Sequence, residues 1–194
     1  MNMNLNTKAE VNFVLRELRA EYAFLQHQPA SDLTGDERRG VEHYLADTGA
    51  TTEHVTLRTW TRFIQQLDTF VARHGRLPRA ANQPDVPVQE ARLNQMLNTQ
   101  RTPKVRAGLS SYQTRRLESI PGFAWKPRDT TWQTTFNDHQ WFCNSRRHSP
   151  RLRSSNKTET ALARWALAQR IAANNGTLPA SHESVLWSAK YPVL

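Results

Sequence analysis

The sequence predicts an all-α protein: two tandem three-helix units of helix-turn-helix, Myb-like form, preceded by an N-terminal helical pair. Three observations lead there. Apolar residues recur at the three- and four-residue spacing of one helix face. Two stretches, "TWTRFIQQLDTFVARHGRLP" (59–78) and "TWQTTFNDHQWFCNSRRHSP" (131–150), open on Thr-Trp and close on Pro after the same number of residues. The chain has 194 residues, 38% apolar and 22% charged, which suits folded rather than disordered material and allows two or three very small domains.

The first helix is read over residues 8–27, with Val11, Val14, Leu15, Leu18, Tyr22 and Leu25 on one stripe. The stretch "QPASDLTGDE" breaks it, and a second helix follows over 37–46 with Val41, Tyr44 and Leu45 inward. This segment, 1–56, lies outside the repeat. It holds five Lys/Arg against nine Asp/Glu. Three roles stay open: self-association or partner binding, a cap on the first unit, or a helix-turn-helix running on from Thr52. The acidic charge argues against the last.

The first unit spans 57–127. Trp60, Phe63, Ile64, Leu67, Phe70 and Val71 share one helix face, and Gly75 and Pro78 stop that helix. A second helix is expected from Val88 to Arg101 with Leu93, Met96 and Leu97 inward, ended by Pro103, after which "KVRAG" turns the chain. Ser110 is the expected N-cap of a third helix that buries Tyr112, Leu117 and Ile120.

The second unit spans 128–194. A shift of 72 residues puts Trp132 on Trp60, Phe136 on Ile64, Phe142 on Phe70, Cys143 on Val71 and Pro150 on Pro78. After a loop shortened by three residues, a shift of 69 puts Glu159 on Glu90, Leu162 on Leu93, Trp165 on Met96, Leu178 on Leu109 and Leu186 on Leu117. This is the signature of an internal repeat whose tryptophans pillar the cores. Thr135 and His139 replace Phe63 and Leu67, so the second core should be the weaker one or lean on a neighbour.

A Trp-led helix, His74-Gly75-x-x-Pro78, a Leu93-x-x-Met96-x-x-x-Gln100-Arg101 helix and the ending "LESIPGFAW" resemble the bacterial helicase-associated domain family. The likeness covers roughly 58–194; the second copy departs from it with Arg146-Arg147 in place of His-Gly and no closing aromatic. The resemblance implies small all-helical units, attached to helicases or standing in multi-copy proteins of phages and plasmids among others. It also implies nucleic-acid binding.

The motor of a helicase is not expected: there is no G-x-x-x-x-G-K-[ST] phosphate loop. Neither G-x-S-x-G nor H-E-x-x-H occurs, and no carboxylate pair stands in a catalytic frame, so the chain is read as a non-enzyme without cofactor. Cys143, with His139 and His148 nearby, offers three metal ligands where a structural zinc site takes four, so no metal is expected and a buried thiol is the preferred reading. The single cysteine, the lack of a leader pattern and the lack of a long apolar run point to a cytoplasmic, nucleoid-associated protein without membrane contact.

Net charge is +9, and the basic residues begin where the repeats begin. Residues 57–127 hold twelve Lys/Arg against four Asp/Glu, and 128–194 hold nine against four. Such surfaces attract polyanions. Double-stranded DNA is the expected partner. The third helix of the first unit would offer Ser111, Gln113, Thr114 and Arg115 to base edges. Arg76, Arg79, Lys104 and Arg106 would hold phosphates. The second unit would contribute a clamp of Arg146, Arg147, Arg151, Arg153 and Lys157. Gln100-Arg101 and Gln169-Arg170 recur at one place in both units, to touch DNA or to buttress a turn. The alternatives are a protein-interaction module or inhibitor whose basic face binds an acidic partner, and RNA binding, for which an exposed aromatic platform is not evident.

Overall fold

The computed structural model describes residues 5–83 and 85–194, with side chains from Phe13 onward. The inward placement expected for Val11 therefore lies outside the described residues. The described residues form helices only: α1 (Leu5–Leu25), α2 (Gly35–Asp47), α3 (Val55–His74), α4 (Val88–Arg101), α5 (Pro103–Arg106), α6 (Ser111–Glu118), α7 (Pro127–Arg146), α8 (Lys157–Asn174) and α9 (Ala180–Trp187). The chain divides into two compact units, one ending at Trp125 and the other beginning at Lys126.

In the first unit, α3 buries Leu57, Trp60, Phe63, Ile64, Leu67 and Val71, the stripe its periodicity announces. It ends where Gly75 turns left-handed at φ 65° and donates its N–H to the Val71 carbonyl, a conformation that favours glycine. Ser110 caps α6 through a reciprocal box in which Ser110 and Gln113 each satisfy the other's backbone N–H. One departure is α5: "TPKVR" makes a helical turn that starts on Pro103, where a proline is tolerated because its missing N–H has no partner to lose.

The N-terminal pair is part of this core. Leu18, Tyr22 and Tyr44 are buried with Trp60, Phe63, Tyr112 and Leu117 in one cluster. The Tyr22, Tyr44 and Tyr112 rings lie at tilted and edge-on angles, with the Tyr22–Tyr112 centroids 4.9 Å apart. Beneath them Arg116, 1% exposed, donates Nε to Asp47 Oδ2 at 2.8 Å and reaches Asp68 through both terminal nitrogens. Tyr112 donates its hydroxyl to the same Asp47 oxygen at 2.8 Å. Burial works against the Arg116 charge, but the Asp68 and Asp47 carboxylates outweigh it and keep the guanidinium protonated above its ordinary range.

The second unit has the smaller core, built on Ala166, Leu186 and Val193 with Trp132, Phe136 and Trp165 packed around it. Trp132 stacks on the His182 ring at 3.9 Å and donates its indole N–H to Gln169 Oε1 at 2.9 Å. Cys143 and His139 are both buried, 3.9 Å apart, and burial pushes the thiol pKa up and the imidazole pKa down. Asn156 caps α8 by accepting the N–H groups of Thr158 and Glu159.

Candidate nucleic-acid interface

The two segments share one local device. Glu90, the third residue of α4, accepts the Arg79 backbone N–H at 2.8 Å; Glu159, the third residue of α8, accepts that of Arg151 at 3.0 Å. Each carboxylate thereby fastens the loop after its proline, Pro78 or Pro150, to the next helix. The side chains around them differ. Arg76 bonds Glu90 at 2.6 and 3.3 Å and Arg79 Nε at 3.2 Å, so both guanidiniums are engaged by Glu90 while their side chains stay 38% exposed. The Arg76 bond, then those of Arg79, hold the Glu90 carboxyl at about 2. On Glu159 the Ser154 hydroxyl donates at 2.7 Å instead and is the main cause of its lowered carboxyl. The Arg151 side chain is left exposed.

The expected reading face of the third helix is built differently from the sequence reading. Gln113 does not point outward: it is 7% exposed because its side chain completes the Ser110 capping box. Arg115 Nη1 bonds Glu21 of α1 at 2.5 Å, the Ser111 backbone N–H bonds Asp36 of α2 at 3.1 Å, and Thr114 is half-buried. Carboxylates of the N-terminal pair thus stand against α6 where base edges were expected. The pair is no detachable lid. Burying Leu18, Tyr22 and Tyr44 stabilises by roughly 2 kcal/mol each, together comparable with a small domain's whole stability.

The recurring Gln-Arg pairs lean toward the buttressing role. Arg101 donates Nε to the Ala124 carbonyl at 2.8 Å and lies over the Phe123 ring. Gln169 is held by Trp132, and its own Nε2 donates to the Trp165 carbonyl. At the equivalent place in the first segment, Trp60 Nε1 and Gln100 Oε1 are both buried without a partner among the described residues. Arg170 is exposed, as is Lys104, while Arg106 lies 4.5 Å over the Trp125 ring.

What stays open is the stretch from Arg146 to Lys157. Arg146, Arg147, Arg151, Arg153 and Lys157 are all exposed, and none forms an ion pair among the described residues. Its nearest acid in sequence, Glu159, is 9% exposed and faces inward. Sequence reasoning passed over other exposed cations without ion pairs: Arg164 on α8, Arg62 and Arg73 on α3, and Arg92 on α4. A signal existed for the last three. They stand opposite the apolar stripe, and the second copy has Thr134, Ser145 and Ala161 in their places.

The molecule is thus an all-α protein that carries its uncompensated positive charge on helix faces and one loop. Residues 57–126 match the family model of the helicase associated domain, which bears out the resemblance read from their motifs. No curated protein and no solved structure matches the chain. No helix among the described residues is long and apolar enough to cross a membrane, and no group of three or more His, Cys, Asp or Glu among them is placed to hold a metal ion.

Proposed function

We propose that this is a non-enzymatic, nucleoid-associated protein that binds double-stranded DNA through two tandem helical units, as a regulator or DNA-anchoring adaptor, on a phage- or plasmid-like pattern. The observation that carries this is the run of five exposed cations from Arg146 to Lys157, with Ser154 rather than an arginine side chain on Glu159. Charges without intramolecular partners are the ones free to displace counterions from a phosphate backbone. The clamp of the second unit therefore supplies most of the affinity. The first unit contributes Lys104, Arg106 and neighbouring cations at its surface rather than the α6 face. Linking two weak binders raises the joint affinity through effective concentration.

The test is fluorescence anisotropy with a random duplex at several salt concentrations, comparing the full chain with R146A/R147A/R151A/R153A. The expected result is a negative slope of log affinity against log salt, shallower by about 3 to 4 in the variant. A folded chain that ignores duplex DNA at low salt, or a variant with an unchanged slope, overturns the reading.

A further inference from the structure

A groove of about 730 Å³ runs between α3 and α4. Half-buried Phe70 and Met96 form its floor, over the buried Phe63 and Leu93, and Arg62, Arg73 and Arg92 stand on its walls. Those three guanidiniums make no ion pair or hydrogen bond among the described residues. The one carboxylate in the groove lining, Glu90, is already bonded by Arg76 and Arg79. The wall is therefore cationic without internal compensation. The charge has no evident part in the fold, because the second copy builds the same helix pair with Thr134, Ser145 and Ala161, and puts Trp165 where Met96 stands.

Cationic walls over an apolar floor suit a ligand that is itself acidic and apolar. Single-stranded nucleic acid fits poorly, because its bases need a free aromatic face. The Phe70 ring is covered by His74, 4.4 Å away, and by the Arg76 guanidinium, 5.2 Å from its centroid, and Phe63 is 1% exposed. Duplex DNA presents no apolar side chain to fill the floor. An amphipathic helix does both: its anchors at i, i+3 or i+4 and i+7 enter such grooves, and its flanking carboxylates meet arginine in bidentate geometry. Arg62 and Arg73 lie on one face of α3, about 16 Å apart along the axis, or three turns of a partner helix.

We propose that the α3–α4 groove docks an acidic amphipathic helix of a partner protein, its carboxylates on Arg62, Arg73 and Arg92 and its apolar side chains on Met96 and on the part of Phe70 that His74 and Arg76 leave exposed. The proposal is independent of the DNA clamp.

A randomised 14-residue peptide-display library is selected on the full chain and counter-selected on R62E/R73E/R92E, with R62Q/R73Q/R92Q as the second variant should the charge reversal unfold. The expected winners are net acidic, with apolar residues at helical spacing. The best, made synthetically and followed by anisotropy, binds the native chain at least tenfold more tightly than either groove variant and is unaffected by R146A/R147A/R151A/R153A. No enrichment, enrichment of non-acidic peptides, or equal binding to the groove variants overturns the proposal. So does a single-stranded oligo-dT whose affinity drops in the groove variants as far as the peptide's, which assigns the groove to nucleic acid.

Discussion

Arg147 stands where Gly75 stands 72 residues earlier, and both close a long helix in the left-handed conformation, at φ 59° and 65°. For glycine this is free of strain; for arginine it costs about 1 kcal/mol. Strain of that kind is retained where a side chain is needed. Arg147→Gly is therefore expected to stabilise the second unit by about 1 kcal/mol in urea denaturation while weakening duplex binding. A variant that is more stable and binds DNA undiminished removes Arg147 from the clamp.

Arg116 is held between Asp47 and Asp68 with almost no exposure of its own. Arg116→Met leaves the buried Asp47 carboxylate opposite nothing but the Tyr112 hydroxyl, an expected loss of about 3–5 kcal/mol. Adding Asp47→Leu removes the orphaned charge and should recover most of that loss. Equal instability of single and double variants would contradict a charge-pairing account.

Gly40 sits under the Tyr22 ring: a Cβ built there would lie 2.5 Å from Tyr22 Cε1 and 2.9 Å from Cζ. Tyr22 is 1% exposed and has nowhere to retreat. Gly40→Ala is expected to destabilise the first unit by about 1–3 kcal/mol through overpacking, despite alanine's better helix propensity. Thermal melts of G40A and of G40A/Y22L distinguish the cause, since the smaller side chain restores part of the loss only if the clash is real.

The Glu90 carboxyl is held at about 2 in the folded chain against a usual 4.5. Its contribution is complete above 4.5 and disappears as pH falls through the interval down to about 2. Glu90→Gln should lower stability at neutral pH and flatten the loss between those two values. Parallel denaturant midpoints for native chain and variant across that range would show that the Arg76 and Arg79 bonds contribute nothing.

Local features were readable in advance. The α4 limits, the glycine stop of α3, the Ser110 cap and the buried stripe of α3 all follow from residues within one or two turns of each other. The ionic assignments were not, because they depend on partners far away in sequence. Arg115 is matched by Glu21, Arg116 by Asp47, and Arg76 by Glu90, and none of these pairings leaves a periodic trace. The outward face of α6 was misjudged for the same reason: helical spacing marks which side is apolar, not which neighbour covers the polar one. The basic run from Arg146 to Lys157 was legible because nothing distant neutralises it.

Asp47 lies ten residues before the helicase associated match begins at 57, yet it is the carboxylate on which Arg116 and Tyr112 of that match converge. A fragment cut at the family boundary would lose this acceptor and bare Tyr112, which Tyr22 and Tyr44 pack edge-on, and Trp60, which His43 packs edge-on. The portable piece in this chain is thus longer than the recurring motif. Anyone grafting it onto another protein must carry the acidic leading helices along, because here the family unit has given up self-sufficiency to a neighbour from outside the repeat.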